Sequence, residues 1–352
     1  MATDLRNTSN SLIGVIGAGT FGLAVSGIIA ESQDVLLYTR RKEVLEEVHR
    51  TGSYRGRSFK RIRITNDAEE LAKSCTTIFP VVSAAGFRST MQKFAPYLYP
   101  DHILIHCTKG LDIVGGPTSV LAPIEKLKVG KVLTMSQVIQ EETTVLRIGC
   151  MAGPNLAAEI FNKEPAATVV ASRFNEVIEE GKRLLKTDWF RVYHSHDLIG
   201  IELAGVLKNI MAIMSGILYG LNYGHNARAL LVARGLAEIV EIGELLGAKP
   251  SAFLGVAGVG DLVATCSSPK SRNFTFGRRI ASGEKPSTIL ANMEEVVEGV
   301  NTTRTIYALA KQYNMDLPIV RVLYRVIFHD MPLPQAQKLL MEYPFLADVT
   351  FM

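Results

Sequence analysis

Cysteine is scarce in this chain. The four present, Cys75, Cys107, Cys150 and Cys266, sit far apart inside apolar or motif segments. That pattern favours free thiols in a reducing compartment over a disulfide framework. A strong charge of one sign is also missing: 38 basic against 34 acidic residues leave a net +4. So mild and scattered an excess argues against a nucleic-acid partner, yet it suits an anionic substrate or cofactor. The seven histidines contain no HExxH; His102 with His106, and His194 with His196, read as strand residues, so no metal site is expected. No low-complexity linker divides the chain, and its two halves are expected to pack tightly. With 352 residues, 47% of them hydrophobic, it can bury a large core, and the length suggests two domains.

Two long apolar runs remain to be explained. Leu12 to Ala30 has the length of a signal sequence or a span, but glycines interrupt it at turn-making spacing, only Arg6 is basic ahead of it, and no cleavage site follows. A targeting role is therefore rejected. Ala2 excludes myristoylation, Thr350-Phe351-Met352 is not a peroxisomal tripeptide, and a cytoplasmic protein is expected. The short polar stretch Met1 to Asn10 leaves a removed transit segment open.

Within the first run, a buried strand from Ser11 to Ile16 leads into Gly17-Ala18-Gly19-Thr20-Phe21-Gly22 and a helix from Leu23 to Glu31. The first glycine permits a tight turn, the second lets backbone amides approach a pyrophosphate, and the third lets helix and strand pack closely. The helix N-terminus then faces the phosphates. A second strand, Asp34 to Tyr38, follows at the right distance, which points to a dinucleotide site. At its end, where an NAD-restricted site places an acid for the ribose 2′-hydroxyl, this chain has Thr39-Arg40-Arg41. Two guanidiniums can pair with a 2′-phosphate, or they simply start the next helix as solvated charges.

Asp67 opens a short helix with an acidic first turn, Thr76 to Val82 is a β-rich run, and Phe87, Met91 and Phe94 share one helical face closed by Pro96. The buried strand Ile103 to Cys107 ends in Thr108-Lys109-Gly110. Lys109 thus sits at a strand end, where doubly wound sheets place their ligands, although a surface lysine in a turn is the ordinary alternative. Val145 to Cys150, Ala167 to Ala171 and Arg191 to His194 read as further strands, with helices Leu156 to Phe161 and Asn175 to Lys186 among them. The expectation is an α/β fold: a Rossmann-type doubly wound sheet over residues 1–195 and an all-helical domain over 196–352.

The second apolar run, Ile199 to Asn222, is the centre of the helical half, with Asp197 placed to cap it. It is apolar on nearly every face, which fits a membrane span or a central core helix; Glu202, Lys208 and Asn209 inside it argue for the core. A buried ammonium loses hydration, its pKa falls, and it can exchange a proton near neutral pH. Lys208 is therefore the first candidate for chemistry, although a packed stem with a solvated head fits this helix equally well. Asn226 can cap a second long helix, Ala227 to Leu246, stopped by Gly247 and Pro250. Then Gly255 to Gly277 gathers glycines around Asp261, hydroxyls and Ser271-Arg272-Asn273, read as irregular backbone suited to a small phosphate-bearing substrate. Glu295 to Asn301 leads into another helix, where Glu298 reaches the cofactor or caps.

At these residues the chain resembles the NAD(P)-dependent glycerol-3-phosphate dehydrogenase family, from Gly14 to about Val326. Five pieces carry the likeness: Gly17 to Gly22, Thr108-Lys-Gly-Leu111, Ala152-Gly-Pro-Asn-Leu-Ala157, Glu202-Leu-Ala-Gly-Val-Leu-Lys-Asn209, and Gly258-Val-Gly-Asp-Leu262 with Ser271-Arg-Asn273. The resemblance implies a helical domain like the C-terminal one of 6-phosphogluconate dehydrogenase. It also implies reversible hydride transfer between NADH or NADPH and dihydroxyacetone phosphate, giving sn-glycerol 3-phosphate for phospholipid synthesis. Lys208 becomes the proton donor and acceptor, with Lys109 and Asp261 beside it at the substrate. Gly153 and Asn155 line the substrate, and Ser271, Arg272 and Asn273 surround its phosphate. Gly17, Gly19, Thr20, Phe21, Gly22, Arg40, Arg41, Lys109, Ala157, Arg272, Val296 and Glu298 line the nucleotide, and a homodimer is expected. Two departures stand out: many members have Ser in place of Ala152, and Val-Pro-Ser in place of Val81-Val82-Ser83. The competing readings are a β-hydroxyacid or ketopantoate-type reductase and a nucleotide-sensing protein without turnover.

The arginine pair generates the first test. NADPH is expected to give a Michaelis constant no higher than that of NADH, and a strong NADH preference in steady-state assays would remove the 2′-phosphate role.

Overall fold

A computed structural model of the chain describes residues 12–344, except 55, 118–120, 123, 125 and 294–295. The polar stretch 1–10, the strand start at Ser11, Glu295 and the terminal tripeptide lie outside the described residues. The chain divides into two compact units: Met1–Thr108, Met135–Met151 and Ala157–Leu198 form the first, and Lys109–Thr134, Ala152–Leu156 and Ile199–Met352 the second.

The first unit is an eight-stranded sheet with helices. In chain order it runs β1 (Ile13–Ile16), α1 (Thr20–Ile29), β2 (Val35–Tyr38), α2 (Lys42–Thr51), the hairpin β3 (Ser53–Tyr54) and β4 (Arg57–Ser58), β5 (Ile62–Thr65), α3 (Ala68–Ser74), β6 (Thr77–Pro80), α4 (Ala84–Phe94) and β7 (Ile103–His106). After the excursion into the second unit come α5 (Met135–Glu142), β10 (Arg147–Ala152), α6 (Ala157–Phe161), β11 (Ala166–Ser172), α7 (Asn175–Leu185) and β12 (Phe190–Ser195). The strand order is β12-β11-β10-β7-β6-β1-β2-β5. Pairing is parallel from β10 through β7, β6, β1 and β2 to β5, and between β11 and β12.

Strands β1, β2, β6 and β7 are buried at every position. They are therefore unbroken apolar runs rather than alternating ones, as a sheet covered on both faces requires. The edge strand β12 is buried only at Phe190. Asp67 caps α3 as expected, accepting from the amides of Glu69 at 2.8 Å and Glu70 at 3.3 Å. On α4 the shared face of Phe87, Met91 and Phe94 is completely buried.

The second unit opens with the small antiparallel pair β8 (Asp112–Ile113) and β9 (Val132–Leu133). It continues with α8 (Leu198–Gly220), α9 (His225–Leu245), a single π-helical turn at Val256–Gly260, α10 (Asp261–Ser267), α11 (Arg272–Ala281), α12 (Pro286–Ala291), α13 (Glu298–Tyr313), α14 (Pro318–Phe328) and α15 (Leu333–Met341). Helix α8 is long and apolar enough to cross a membrane, but 94% of its most apolar window is buried inside the protein; it is a core helix. Two differences from the sequence-based expectation concern this unit. Helix α9 starts at His225 behind the extended Gly224, so Asn226 is not its cap. Residues 256–281 are mostly helical rather than irregular. Glycine serves close approach there: a side chain at Gly216 would collide with the carbonyl of Phe274, and one at Gly277 with that of Ile213. Helices α8 and α11 therefore touch backbone to backbone, which only glycine permits.

Helix α14 begins at Pro318, so its first amides need acceptors from elsewhere. The Glu238 carboxylate of α9 supplies them, accepting from Ile319 at 2.7 Å and Val320 at 3.1 Å. Burial pushes this carboxyl up to about 8 despite the two amides, with Glu241 and Asp316 adding to the rise. In the unfolded chain it titrates near 4.5, so between those values the native state holds the extra proton and stability falls as pH rises. In urea titrations from pH 5 to pH 8.5, the wild type should lose on the order of 3 kcal/mol relative to Glu238→Gln, at ~1.4 kcal/mol per pKa unit. Parallel curves for the two proteins would refute this account.

Candidate active site

The chemistry gathers in the second unit. Burial of α8 takes Lys208 with it to 6% exposure, and its ammonium donates to the Asp261 Oδ1 carboxylate oxygen and, at 2.6 Å, to Thr265 Oγ1. Asp261 and Thr265 are one turn apart on α10, so both face the same way. The threonine hydroxyl in turn donates to Asp261 Oδ1 at 3.2 Å. The other carboxylate oxygen, Oδ2, accepts from Lys109 Nζ at 2.8 Å, and Lys109 also donates to the Gly153 carbonyl at 3.0 Å. Asp261 is 1% exposed, so one buried carboxylate is shared by two ammoniums. Loss of hydration is the largest influence on Lys208 and pulls it down to about 7; Asp261 opposes the fall and Lys109 adds to it. The Cys266 thiol beside this group is pushed up to about 12 by burial and stays protonated.

The π turn just before Asp261 brings Gly258 against the Phe253 backbone, where a side chain would not fit. Such turns recur at functional sites, where they shift the register of the next helical residues. Next to Lys208, Asn209 Oδ1 accepts from Asn273 Nδ2 at 2.9 Å, and Asn273 Oδ1 accepts the Gly299 amide at 3.0 Å. The Asn273 carboxamide thus ties α8, α11 and the first turn of α13 together. Ser271 caps α11 by accepting from the Phe274 amide at 3.3 Å, and Arg272 is the exposed first residue of that helix. Glu298 is the first residue of α13, with the exposed Val296 just ahead of it. Asn155 is buried, and its amide donates to the Gly153 carbonyl at 2.8 Å.

The nucleotide candidates of the first unit sit at the end of β1. Strand order reverses between β1 and β6, which is where doubly wound sheets bind ligands. The Gly17 amide donates to Tyr38 O at 2.9 Å, pinning the loop to β2. Gly17 has φ 117°, and a side chain there would strike the Val81 carbonyl; one at Gly22 would strike the Gly17 carbonyl. Gly19, by contrast, has open space where its side chain would be. Together with the start of α1 at Thr20, this is a cradle of the kind a pyrophosphate fits. The Arg41 guanidinium donates to the Ala18 carbonyl and lies 5.8 Å over the Tyr54 ring, while Arg40 is exposed. Ala157 opens α6.

The structure brings Lys109, Gly153, Lys208 and Asp261 into one cluster, joins Asn273 to the Lys208 neighbour Asn209, and brings Arg41 to the glycine loop. Two participants carry no role in the sequence-based expectation. Thr265 is one hydroxyl among several in a glycine-rich stretch; its signal is the four-residue spacing from Asp261, which counts only on a helix. Asn209 stands in a motif, beside the lysine that draws the attention.

Comparison with known proteins identifies the family. The description "NAD-dependent glycerol-3-phosphate dehydrogenase N-terminus" matches residues 12–178, and "NAD-dependent glycerol-3-phosphate dehydrogenase C-terminus" matches residues 197–338. A glycerol-3-phosphate dehydrogenase (NAD(P)+) of Staphylococcus aureus is 35% identical over 339 residues, covering 94% of this chain and 97% of the relative. The crystal structure of glycerol-3-phosphate dehydrogenase from Coxiella burnetii superposes with a TM-score of 0.84 at 28% identity, covering 95% and 99% of the two chains. The Saccharomyces cerevisiae enzyme, at 20% identity, shares the fold with a TM-score of 0.79 over 95% of this chain and 100% of its own. The chain belongs to the NAD-dependent glycerol-3-phosphate dehydrogenase family and is an NAD(P)-dependent oxidoreductase.

Proposed function

We propose that Lys208 is the proton donor and acceptor for the reversible reduction of dihydroxyacetone phosphate to sn-glycerol 3-phosphate. The observation that carries this is the buried ammonium of Lys208 sharing Asp261 with Lys109. The glycine cradle at Gly17, Gly19 and Gly22, with Thr20, Phe21, Arg40 and Arg41, would hold the nucleotide, and Ala157, Lys109, Arg272, Val296 and Glu298 would complete its lining. When bound, the reduced nicotinamide supplies the hydride that the substrate C2 receives. Lys208 then gives its proton to the alkoxide developing on the C2 oxygen, and Lys109 adds a positive field beside it. Asp261 fixes both amines through its two oxygens, so neither has to be oriented as the reaction proceeds. In the oxidative direction Lys208 takes the proton from the 2-hydroxyl. Arg272, as a planar fork, grips the phosphate at the α11 N-terminus beside Ser271 and Asn273, and Gly153 and Asn155 line the substrate.

On this reading residues 1–195 carry the nucleotide and 196–352 the helical part. The protein acts as a homodimer in the cytoplasm, where its buried thiols suit the reducing milieu, and its product supplies the glycerol backbone of phospholipids. A carboxylate substrate of the ketopantoate type leaves the Ser271-Arg272-Asn273 segment without a use. A protein that only senses nucleotide leaves the lysine pair without one.

The Lys208→Ala variant is expected to lose about 10³-fold or more in turnover while binding NADPH within twofold of wild type by fluorescence titration. Near-normal turnover would refute the assignment. The pH dependence has a definite sign. Reduction needs the ammonium, so its kcat falls as pH rises through about 7; oxidation needs the free amine, so its kcat rises through the same range. Profiles of the same slope in both directions would exclude Lys208 as the titrating group.

A further inference from the structure

Glycine is disfavoured inside a helix, so each one buried in α8 needs a reason. At Gly216 and Gly220 the reason is the packing of helices: a side chain would strike the Phe274 carbonyl at the first and the Ala281 methyl at the second. Gly205 is buried in the same helix, but its surroundings differ. A Cβ there would lie 3.5 Å from the Ala152 methyl and 3.7 Å from both Cγ and Cδ of Lys109, and these three nearest atoms all belong to side chains. No helix contact explains this glycine; the stem of a lysine lies over it.

Gly205 precedes Lys208 by three residues, so the two share a face of α8. The Lys109 stem therefore rests on α8 one turn before Lys208, and its ammonium reaches Oδ2 of the carboxylate whose Oδ1 holds Lys208. A methyl at position 205 would touch the stem at ordinary contact distance. A β-branched side chain would send carbons about 1.5 Å farther, into the space that the methylenes need. We propose that Gly205 is a positioning residue: the gap it leaves in α8 seats the Lys109 stem, and this seat sets how closely the second ammonium approaches Asp261 beside Lys208.

The consequence lies in charge. Facing Lys208 are Asp261 and the Cys266 thiol of α10, the thiol protonated and neutral, and the Lys109 ammonium. Asp261 raises the Lys208 amine and Lys109 lowers it. Unseating Lys109 removes the second influence and keeps the first, so Lys208 holds its proton to higher pH. What this does to the reaction rests on Lys208 being the proton donor and acceptor; the seating does not.

The test titrates the Lys208 amine directly, by NMR of the full chain carrying isotope-labelled lysine, its resonance assigned by loss in Lys208→Ala. Gly205→Val is expected to raise the midpoint by about half a unit or more, and Gly205→Ala by less. Lys109→Met should raise the midpoint on its own, and adding Gly205→Val to it should raise it no further, because the glycine acts through that lysine. Where the Gly205→Val chain does not fold, Ala152→Val, which fills the same space from β10, should give the rise instead. A folded Gly205→Val protein with the wild-type midpoint overturns the proposal, as does a rise that persists undiminished in the Lys109→Met background. Turnover of Lys208→Ala judges the role of Lys208 separately: near-normal turnover beside the expected midpoints would overturn that role and uphold the seat.

Discussion

A carboxylate held between two ammoniums, all three largely withdrawn from water, is the arrangement on which the helical unit turns. An isolated buried lysine would simply lose its proton, and an isolated buried aspartate would gain one. Asp261 makes both charges tenable, and its two oxygens divide the work: Oδ1 serves Lys208 and Thr265, Oδ2 serves Lys109. Because desolvation still outweighs attraction at Lys208, that amine is left close to balance between its two protonation states. Such a balance is what a group must have to give a proton in one direction and take it in the other.

Keeping this balance requires α8, α10 and α11 to be held at fixed separations. The glycines at positions 216 and 277 allow α8 and α11 to meet along their backbones. The Asn273 carboxamide then fixes the far end of α11 to Asn209 and to Gly299. A residue that the family resemblance assigns to the phosphate is thus also a strut, with its oxygen occupied and its nitrogen already donating once. The geometry around Lys208 is over-determined by contacts that involve no charge.

Much of this is legible in the sequence. The glycine loop, the strand before it and the order of α and β elements identify a doubly wound sheet, because each spacing answers a local steric need. Lys208 and Asp261 stand out because charge inside apolar or glycine-rich segments is costly and needs a reason. What stays hidden depends on conformation rather than composition. Thr265 joins the site only because residues 261–267 are helical, and glycine-rich sequence reads as loop. The start of α9 escapes the sequence because the extended residue ahead of it, Gly224, has no side chain to signal a cap, while Asn226 offers a plausible but unused one. Glu238 looks like an ordinary helix charge, and nothing near it in sequence announces that its partners lie some eighty residues on.

Helix α8 has a consequence for how the protein is made. Its 23 residues include three strongly polar side chains, Glu202, Lys208 and Asn209, buried with their neighbours in the finished molecule. While the chain is being made, an insertase judges such a segment by its transfer free energy alone. Lys208, with Glu202, therefore has a second consequence: the two charged side chains raise the cost of placing this segment in lipid.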